Sequence, residues 1–391
     1  MKFLYAAPRF HPNQYPIIEG LIEKGHEVSF CVARVGEHEK HTGVKMIHLQ
    51  MSECLRRYYA YRKISGVALE DRLINRFIAG RGQVSAVIRQ EKPDVVIVRN
   101  RNLMSLQFNL QCKLKRIPII LYNQGQVMHP AGRRKSAKDF IKKLWRSLFP
   151  VNRISPCMYE RYPRAGQDYR RDAHAYFLPF ITRKDADAKE EYSTDNRRLR
   201  IMDIGKMRPY KNHGVLVKAA GILRDRGYDF SATIVGQCSS EEERCYRKEL
   251  TELIAQLRLQ EYIEVRDSIP YDQLMSVLRS YDIYVLTSKQ EVANISVLDA
   301  MTCGLAVVAT DYNGTSHYID DGVNGSIFRT DDPESLAEKL AYYLDNRDKL
   351  REHGEKAAQK MRREYNFGKY YEKLEEVIEA AFREKGKSYR N

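Results

Sequence analysis

The sequence has no long hydrophobic run and no paired-cysteine motif. No window of its 391 residues approaches the roughly 18 consecutive apolar residues of a transmembrane helix, and the apolar start of the chain ends at Pro8 and Arg9. The seven cysteines include no Cys-x-x-Cys pair, a common sign of a zinc or redox site. We therefore expect a first β-strand instead of a signal peptide, no metal or other cofactor, and a cytoplasmic protein with reduced thiols.

Acidic residues are scarce in the first half of the chain. Residues 1–200 carry 38 Lys and Arg against 19 Asp and Glu, a net charge of +19, whereas residues 201–391 carry 28 against 32, a net charge of −4. Such an asymmetry indicates an anionic partner for the first half, which could be nucleic acid, acidic lipid headgroups or a phosphorylated acceptor.

The pattern of apolar runs predicts two α/β domains. Short β-rich runs alternate with helical segments, and runs such as Val95–Val98 are apolar on both faces, as parallel strands covered by helices are. A polar stretch at 182–198 separates two such sets and favours a linker. We predict doubly wound domains at 1–182 and 183–368, and a terminal segment at 369–391 whose helix can return to the first domain. The strands are expected at 2–7, 26–33, 45–50, 94–100, 117–124 and 175–180, then at 199–205, 230–236, 262–265, 282–288, 305–310 and 325–328.

A dinucleotide-binding fingerprint is absent. Neither domain has Gly-x-Gly-x-x-Gly after its first strand, nor an acidic residue in register for a ribose. An NAD-dependent oxidoreductase, the enzyme class that two such domains also suit, is therefore disfavoured.

The first candidate site is a loop after the opening strand of the second domain, Gly205–His213. Lys206 and Lys211 lie five residues apart on it. Because parallel sheets bind ligands beyond the carboxyl ends of their strands, the two lysines can form an anion site. The alternative is a solvated loop with exposed lysines.

The second candidate site surrounds the start of a helix predicted to begin near Asn294. The free amide groups of its first turn favour an anion, and two carboxylates, Glu291 and Asp299, stand eight residues apart around that helix end. The alternative is that both carboxylates only flank a capped helix, with Gly304 as its C-terminal cap.

Together these segments resemble the family 4 retaining glycosyltransferases. That family has a Gly-Arg-(four residues)-Lys loop and a Glu-(seven residues)-Glu element, and four residues of this chain fall on those charged positions: Lys206, Lys211, Glu291 and Asp299. Three neighbouring segments also match the sequence pattern of that family: Ile234–Gly236, Tyr281–Ser288 and Asp321–Gly325. The resemblance is dense over residues 199–345 and implies the GT-B fold, two Rossmann-like domains facing across a cleft.

The resemblance also implies roles for the site residues. Lys206 and Lys211 would neutralise the donor diphosphate together with the backbone amides of Asn294, Ile295 and Ser296, Glu291 would contact the transferred sugar, and Asp299 would hold the ribose. Two cations and a helix N-terminus stabilise the leaving diphosphate without a metal ion.

The chain departs from the family pattern at several positions. Lys206 replaces an arginine and Asp299 a glutamate, which keeps the charge but changes reach and hydrogen-bonding geometry. The usual Gly-Gly after the first strand is missing. The family's sugar-positioning histidine is also missing, and Gln124, or Asn123 with a one-residue shift, stands in its place. His129 is a further substitute, although a single loop histidine is more often incidental.

A basic amphipathic stretch at 133–149 is the third feature. Six large apolar residues recur at helical spacing, and seven cations accompany them against one acidic residue. The predicted function is contact with an anionic membrane or a lipid-linked acceptor. The alternative is a helix that packs its apolar stripe against the sheet. The residues that we expect to make this contact are Lys138, Lys142, Lys143, Trp145 and Arg146.

These features predict a retaining, metal-independent glycosyltransferase. Its substrates would be a nucleotide sugar, with UDP or GDP as the nucleotide, and a glycan or lipid-linked acceptor, in the synthesis of cell-surface polysaccharide or lipopolysaccharide. We expect it in the cytoplasm, at the inner face of the membrane. The alternative is a nucleotide-sugar-binding protein without transferase activity, such as an epimerase or a silent partner. Nucleic-acid binding would explain the basic half but not Glu291 and Asp299, so no nucleic-acid partner is expected.

Overall fold

The computed structural model describes residues 1–10, 14–34, 43–65, 76–99, 103–123, 151–156, 174–183, 187–190, 192, 198–270, 272–289, 291 and 294–389. The chain divides into two compact units. The first comprises Met1–Pro179 and Phe367–Asn391, and the second comprises Phe180–Asn366. Each unit has its own parallel sheet and its own hydrophobic core.

The first unit is built on a sheet whose seven described strands run in the order β3-β2-β1-β4-β5-β6-β7, with each neighbouring pair parallel. The strands are β1 Lys2–Ala6, β2 Glu27–Val32, β3 Lys45–His48, β4 Val95–Arg99, β5 Ile119–Tyr122, β6 Asn152–Ser155 and β7 Ala175–Phe177. The helices described in this unit are α1 Tyr15–Glu23, α2 Glu53–Tyr61, α3 Gln83–Glu91, α4 Leu103–Leu114 and α11 Phe367–Arg383.

The second unit repeats this architecture with six described strands in the order β10-β9-β8-β11-β12-β13, again parallel throughout. The strands are β8 Leu199–Ile204, β9 Phe230–Val235, β10 Ile263–Arg266, β11 Ile283–Leu286, β12 Ala306–Thr310 and β13 Ser326–Phe328. The helices are α5 Gly214–Asp225, α6 Glu241–Gln256, α7 Leu274–Arg279, α8 Ile295–Thr302, α9 Pro333–Asp345 and α10 Arg347–Glu364.

The central strands are buried on both faces, which explains their continuous apolar runs. Every residue of β11 and β12 is buried, as are four of the five residues of β4. A parallel sheet needs helices on both faces, and runs rich in Val and Ile fill the space between them. The predicted α/β class with two Rossmann-like domains is confirmed.

Every predicted strand is present, and the structure has one further strand, β6, that was not predicted. Strand β6 was not predicted because it is only four residues long and includes Asn152 and Arg153, which do not mark an apolar run. Its backbone nevertheless pairs with β5 on one side and with the edge strand β7 on the other. The last predicted strand of the first domain is shorter than expected and covers only β7.

The segment predicted as a linker packs on the second unit where it is described. Lys189 is buried, and its Nζ donates to the Tyr281 carbonyl at 2.9 Å and lies 3.7 Å from a carboxylate oxygen of Asp282. Its backbone N–H donates to the Cys303 carbonyl. The polar composition of this segment favoured an exposed linker, and it gave no sign that Lys189 forms a buried ion pair.

The last helix, α11, belongs to the first unit. The Tyr371 hydroxyl lies 2.8 Å from His26 Nε2, and the Lys24 ammonium lies 4.2 Å from the centre of the Tyr371 ring. Gly20 on α1 permits this packing, because a Cβ at that position would overlap the Phe367 ring. No helix in the described ranges combines the length and apolar character needed to cross a membrane.

Candidate functional site

The two predicted motifs follow neighbouring strands at the point where the strand order of the second sheet reverses. Strands β8 and β11 pair in parallel, with Ile201 opposite Ile283 and Met202 opposite Tyr284. The loop Gly205–His213 (the lysine loop) follows β8, and the segment that contains Glu291 follows β11. Open α/β sheets bind ligands beyond the carboxyl ends of their strands at such a reversal. The topology therefore brings both motifs to one edge of the sheet.

A close approach of side chains shapes the lysine loop. A Cβ on Gly205 would lie 3.0 Å from Lys211 Cδ and 3.2 Å from His213 Cε1, so glycine lets the Lys211 chain cross the start of the loop. Pro209–Lys211 form a 3-10 turn, which Asn212 ends with a φ of 58°. Asn tolerates this left-handed conformation better than most residues.

An ion pair joins the two motifs. The Lys211 ammonium contacts one carboxylate oxygen of Glu291, and both side chains are largely buried, with 10% and 12% exposure. The other Glu291 oxygen accepts a hydrogen bond from Asn294 Nδ2 at 2.9 Å. The structure therefore places Lys211, Glu291 and Asn294 in one connected group.

Asn294 also begins helix α8, as predicted. Its Oδ1 accepts from the Val297 N–H at 3.3 Å, which satisfies one of the free amides of the first turn. Its own N–H donates to Thr315 Oγ1 at 2.8 Å. The Asn294 amide is therefore engaged, which corrects the prediction that all three amides at this helix end are available to an anion. Within the described residues, the backbone N–H groups of Ile295 and Ser296 have no hydrogen-bond acceptor, so they can donate to a bound anion.

A loop after β12 supports this arrangement and was not singled out from the sequence. The Gly314 N–H donates to the Glu291 carbonyl at 2.7 Å, and Asn313 Oδ1 accepts from the Thr315 N–H at 2.8 Å. Asn313 and Thr315 are both fully buried. The sequence could have indicated this loop, because it follows a predicted strand of the same parallel sheet. The carboxyl ends of such strands lie at a common edge.

A buried polar network lies beneath the lysine loop. One Asp203 carboxylate oxygen lies 2.8 Å from His213 Nδ1 and accepts from Thr287 Oγ1 at 2.8 Å. The Thr287 hydroxyl also lies 2.8 Å from the Lys211 carbonyl, and His213 Nε2 lies 3.4 Å from the Lys206 carbonyl. The network thus links β8, β11 and the backbone at both lysines, so it positions the loop.

The remaining charged residues of the loop differ in burial. Lys206 is exposed, whereas the Arg208 guanidinium forms a 2.7 Å ion pair with Glu243. Burial acts to raise the pKa of Glu243, but the Ser239 N–H and Arg208 outweigh it and hold that pKa below its usual range. Lys206 is therefore the more accessible cation of the loop.

The other predicted site residues differ in burial and in hydrogen-bond partners. Asp299 lies on α8 with only 5% exposure. Ser296 is half-buried. Burial raises the pKa of the fully buried Tyr284 well above its ordinary value, and the Tyr284 hydroxyl lies 3.5 Å from the Ile204 carbonyl. Asn123 is buried directly after β5, and its N–H donates to the Ile154 carbonyl at 2.8 Å. Outside the described residues lie Gln124, His129, Lys138, Lys142, Lys143, Trp145 and Arg146.

Metal-ligating residues do not cluster in the part of the chain that the structure describes, where no group of three His, Cys, Asp or Glu side chains could hold an ion. The described cysteines are free thiols. Burial raises the pKa of Cys31, Cys112 and Cys303 to about 12, which favours a packing role for them.

Comparison with known proteins decides what kind of domain holds this site. Residues 184–361 match the family model of glycosyl transferases, group 1. The second unit carries a group 1 glycosyltransferase domain. The match includes both motifs and the loop after β12, and the whole first unit, its last helix included, lies outside the matched residues.

Curated relatives agree over the group 1 domain. A D-inositol 3-phosphate glycosyltransferase of Paenarthrobacter aurescens is 32% identical over 148 residues, which are 37% of this chain and 35% of the relative. The human GDP-Man:Man(3)GlcNAc(2)-PP-Dol alpha-1,2-mannosyltransferase is 26% identical over 151 residues, which are 37% of this chain and 31% of that protein. The match thus spans about a third of the length of these relatives.

Solved structures extend the similarity in fold to both units. A glycosyltransferase from Rickettsia africae superposes with a TM-score of 0.73, covering 97% of this chain and 98% of its own, at 15% identity. The GT-B fold predicted from the resemblance to the family 4 glycosyltransferases is therefore confirmed.

The buried network generates a prediction about stability. Thr287→Val keeps the shape of the side chain but removes the hydroxyl between Asp203 and the Lys211 carbonyl, so we expect the free energy of unfolding to fall by about 1–3 kcal/mol in urea denaturation. The matched control is Thr251→Val, which removes an exposed hydroxyl that bonds the Arg247 carbonyl on α6. It should change stability by less than about 0.5 kcal/mol. Equal losses in both variants would contradict a special role for Thr287.

Proposed function

We propose that the protein is a retaining glycosyltransferase. It would transfer a sugar from a nucleotide-sugar donor to a glycan or lipid-linked acceptor, in the synthesis of a cell-surface polysaccharide or lipopolysaccharide. The observation that carries the proposal is the contact of Lys211 with Glu291 beside the amino end of α8, within a group 1 domain. In this contact, a cation that could bind a diphosphate lies beside a carboxylate that could bind sugar hydroxyls. Both lie where the strand order of the sheet reverses, which is where such sheets bind ligands.

The donor diphosphate is proposed to bind between the lysine loop and helix α8. Lys206 is exposed and Lys211 is anchored, so one cation can follow the ligand while the other stays fixed. The amides of Ile295 and Ser296 add hydrogen-bond donors at a helix N-terminus, where the helix dipole favours negative charge. These groups would take the role that a divalent cation has in metal-dependent transferases, so activity should not need one.

The Lys211 and Glu291 pair sets the geometry of the proposed donor site. In the structure, Glu291 partly neutralises Lys211 and holds it at the strand ends. A diphosphate that reaches Lys211 would share its ammonium protons, and Glu291 would then accept hydrogen bonds from the hydroxyls of the attached sugar. Because Asn294 Nδ2 holds the other Glu291 oxygen, the carboxylate keeps its orientation during this change.

Transfer with retention would proceed on one face of the sugar. The bond between the anomeric carbon and the diphosphate oxygen breaks, and the acceptor oxygen forms its bond to that carbon from the same side. The acceptor proton passes to the departing diphosphate oxygen. The charge that develops on the diphosphate is stabilised by Lys206, Lys211 and the α8 amides, which are already in place before the reaction. Asp299 is assigned to the ribose, and Asn123 or Gln124 to the sugar hydroxyls.

The substrates are proposed at the level of class. The donor would be a UDP-sugar or a GDP-sugar, and the names of the curated relatives include a GDP-mannose-dependent enzyme that acts on a lipid-linked glycan. An acidic or lipid-linked acceptor suits the net charge of +19 over residues 1–200. The contact predicted for the stretch at 133–149 with an anionic membrane stays a prediction.

Replacement of Lys211 tests the diphosphate assignment. Lys211→Ala should weaken UDP or GDP binding in calorimetry by about 1.5–3 kcal/mol, roughly 10- to 150-fold, because a charge-assisted contact is lost. The control Lys218→Ala removes an exposed lysine of α5 and should leave the affinity unchanged. Unchanged binding in the Lys211 variant would exclude it from the donor site.

Replacement of Glu291 separates the sugar from the nucleotide. Glu291→Gln should lower sugar turnover much more than nucleoside diphosphate affinity, because the carboxylate is assigned to sugar hydroxyls. Turnover is measured by release of nucleoside diphosphate from the nucleotide sugar, with Glu249→Gln on the exposed face of α6 as the control. If affinity and turnover fell together, Glu291 would serve the fold or the phosphate site instead.

A further inference from the structure

Helix α4 of the first unit carries a stripe of exposed leucines. Leu103, Leu106, Leu110 and Leu114 are 43%, 50%, 57% and 71% exposed. At 3.6 residues per turn these four positions fall within a sector of about 80°. The opposite side of the helix is occupied by Met104, Phe108 and Cys112, which are fully buried in the core. The leucine face is therefore not needed to hold α4 on the sheet.

A basic cluster lies at the carboxyl end of this stripe. Helix α4 contains no Asp or Glu, and Lys113, Lys115 and Arg116 stand at or just after its end. The turn after α11 adds Lys385 and Lys387, because Arg116 Nη2 donates to the Lys385 carbonyl at 3.1 Å. Burial and the neighbouring Lys385 ammonium lower the pKa of Lys113, although the nearby Glu384 carboxylate acts to raise it. Cations crowded in this way are favourable sites for an anionic surface.

We propose that the leucine face of α4 and the basic cluster beside it bind the surface of an anionic lipid bilayer. The leucines would enter the headgroup region, and the lysines and Arg116 would contact lipid phosphates at its rim. This surface shares no residue with the stretch at 133–149 or with the proposed donor site, and its binding needs no nucleotide sugar.

The charge of the surroundings favours a bilayer over a second copy of the chain. The unit that holds α4 includes most of residues 1–200, with their net charge of +19, so a second copy would present another strongly basic surface. An anionic leaflet instead complements both parts of the surface, with apolar chains for the leucines and phosphates for the cations. Nucleic acid offers no apolar layer for four leucines.

Vesicle sedimentation with the full chain tests the proposal. The wild-type protein should bind vesicles of phosphatidylcholine mixed with phosphatidylglycerol more strongly than vesicles of phosphatidylcholine alone. Leu106→Gln combined with Leu110→Gln should weaken binding about tenfold at both low and high salt, because the apolar contribution does not depend on ionic strength. Lys115→Gln combined with Lys387→Gln should weaken it about tenfold at low salt and less at high salt.

Matched variants on the second unit control for general effects. Val323→Gln with Tyr342→Gln replaces two apolar residues that are 48% and 39% exposed, and Arg244→Gln with Lys248→Gln removes two exposed cations of α6. Neither pair should change vesicle binding. All of these substitutions are at exposed positions, and a thermal unfolding scan establishes that each variant is folded.

Three outcomes would overturn the proposal. The first is an absence of vesicle binding by the wild-type protein. The second is binding that survives the leucine variant but is lost when Lys138, Lys142, Lys143 and Arg146 are replaced by Gln, which would place the membrane surface in the stretch at 133–149. The third is a wild-type dimer in analytical ultracentrifugation that the leucine variant converts to monomer, which would make α4 a contact between copies of the chain.

Discussion

The ion pair between Lys211 and Glu291 is the contact on which the proposed donor site depends. It connects the ends of β8 and β11, the two strands at which the order of the second sheet reverses. Several neighbouring groups contact one partner or the other. The Thr287 hydroxyl lies 2.8 Å from the Lys211 carbonyl, the Gly314 N–H donates to the Glu291 carbonyl, and Asn294 Nδ2 donates to the Glu291 side chain. A charged pair that is largely buried is stable only with such additional hydrogen bonds. The same bonds fix the orientation of both charged groups.

Much of the second unit could be predicted from the sequence, because its signals are local. Apolar runs mark the buried strands, and Asn294 before an apolar stretch marks the start of α8. Parallel strands place their carboxyl ends at a common edge, so two charged loops after neighbouring strands had to lie close together. The roles of Lys206 and Asp299 stay predictions, since they concern a ligand.

Other features depend on contacts between distant residues and were not predictable. The Asn294 N–H donates to Thr315 Oγ1, 21 residues further along the chain. The Thr287 hydroxyl and the Asp203 carboxylate form a hydrogen bond although 84 residues separate them in the sequence. Strand β6 is recognisable only by its pairing with β5 and β7. The leucine stripe of α4 is similar, because the helix is apolar on both sides and only the packing shows which side faces the core.

The most direct test of the account is calorimetric binding of UDP and GDP in the presence of EDTA. Lys206, Lys211 and the α8 amides are proposed to neutralise the donor diphosphate, so saturable binding of one nucleotide should persist after chelation and weaken as salt rises. Binding that disappears in EDTA and returns with manganese would contradict the account, because the diphosphate would then depend on a metal ion and not on the cations of this chain.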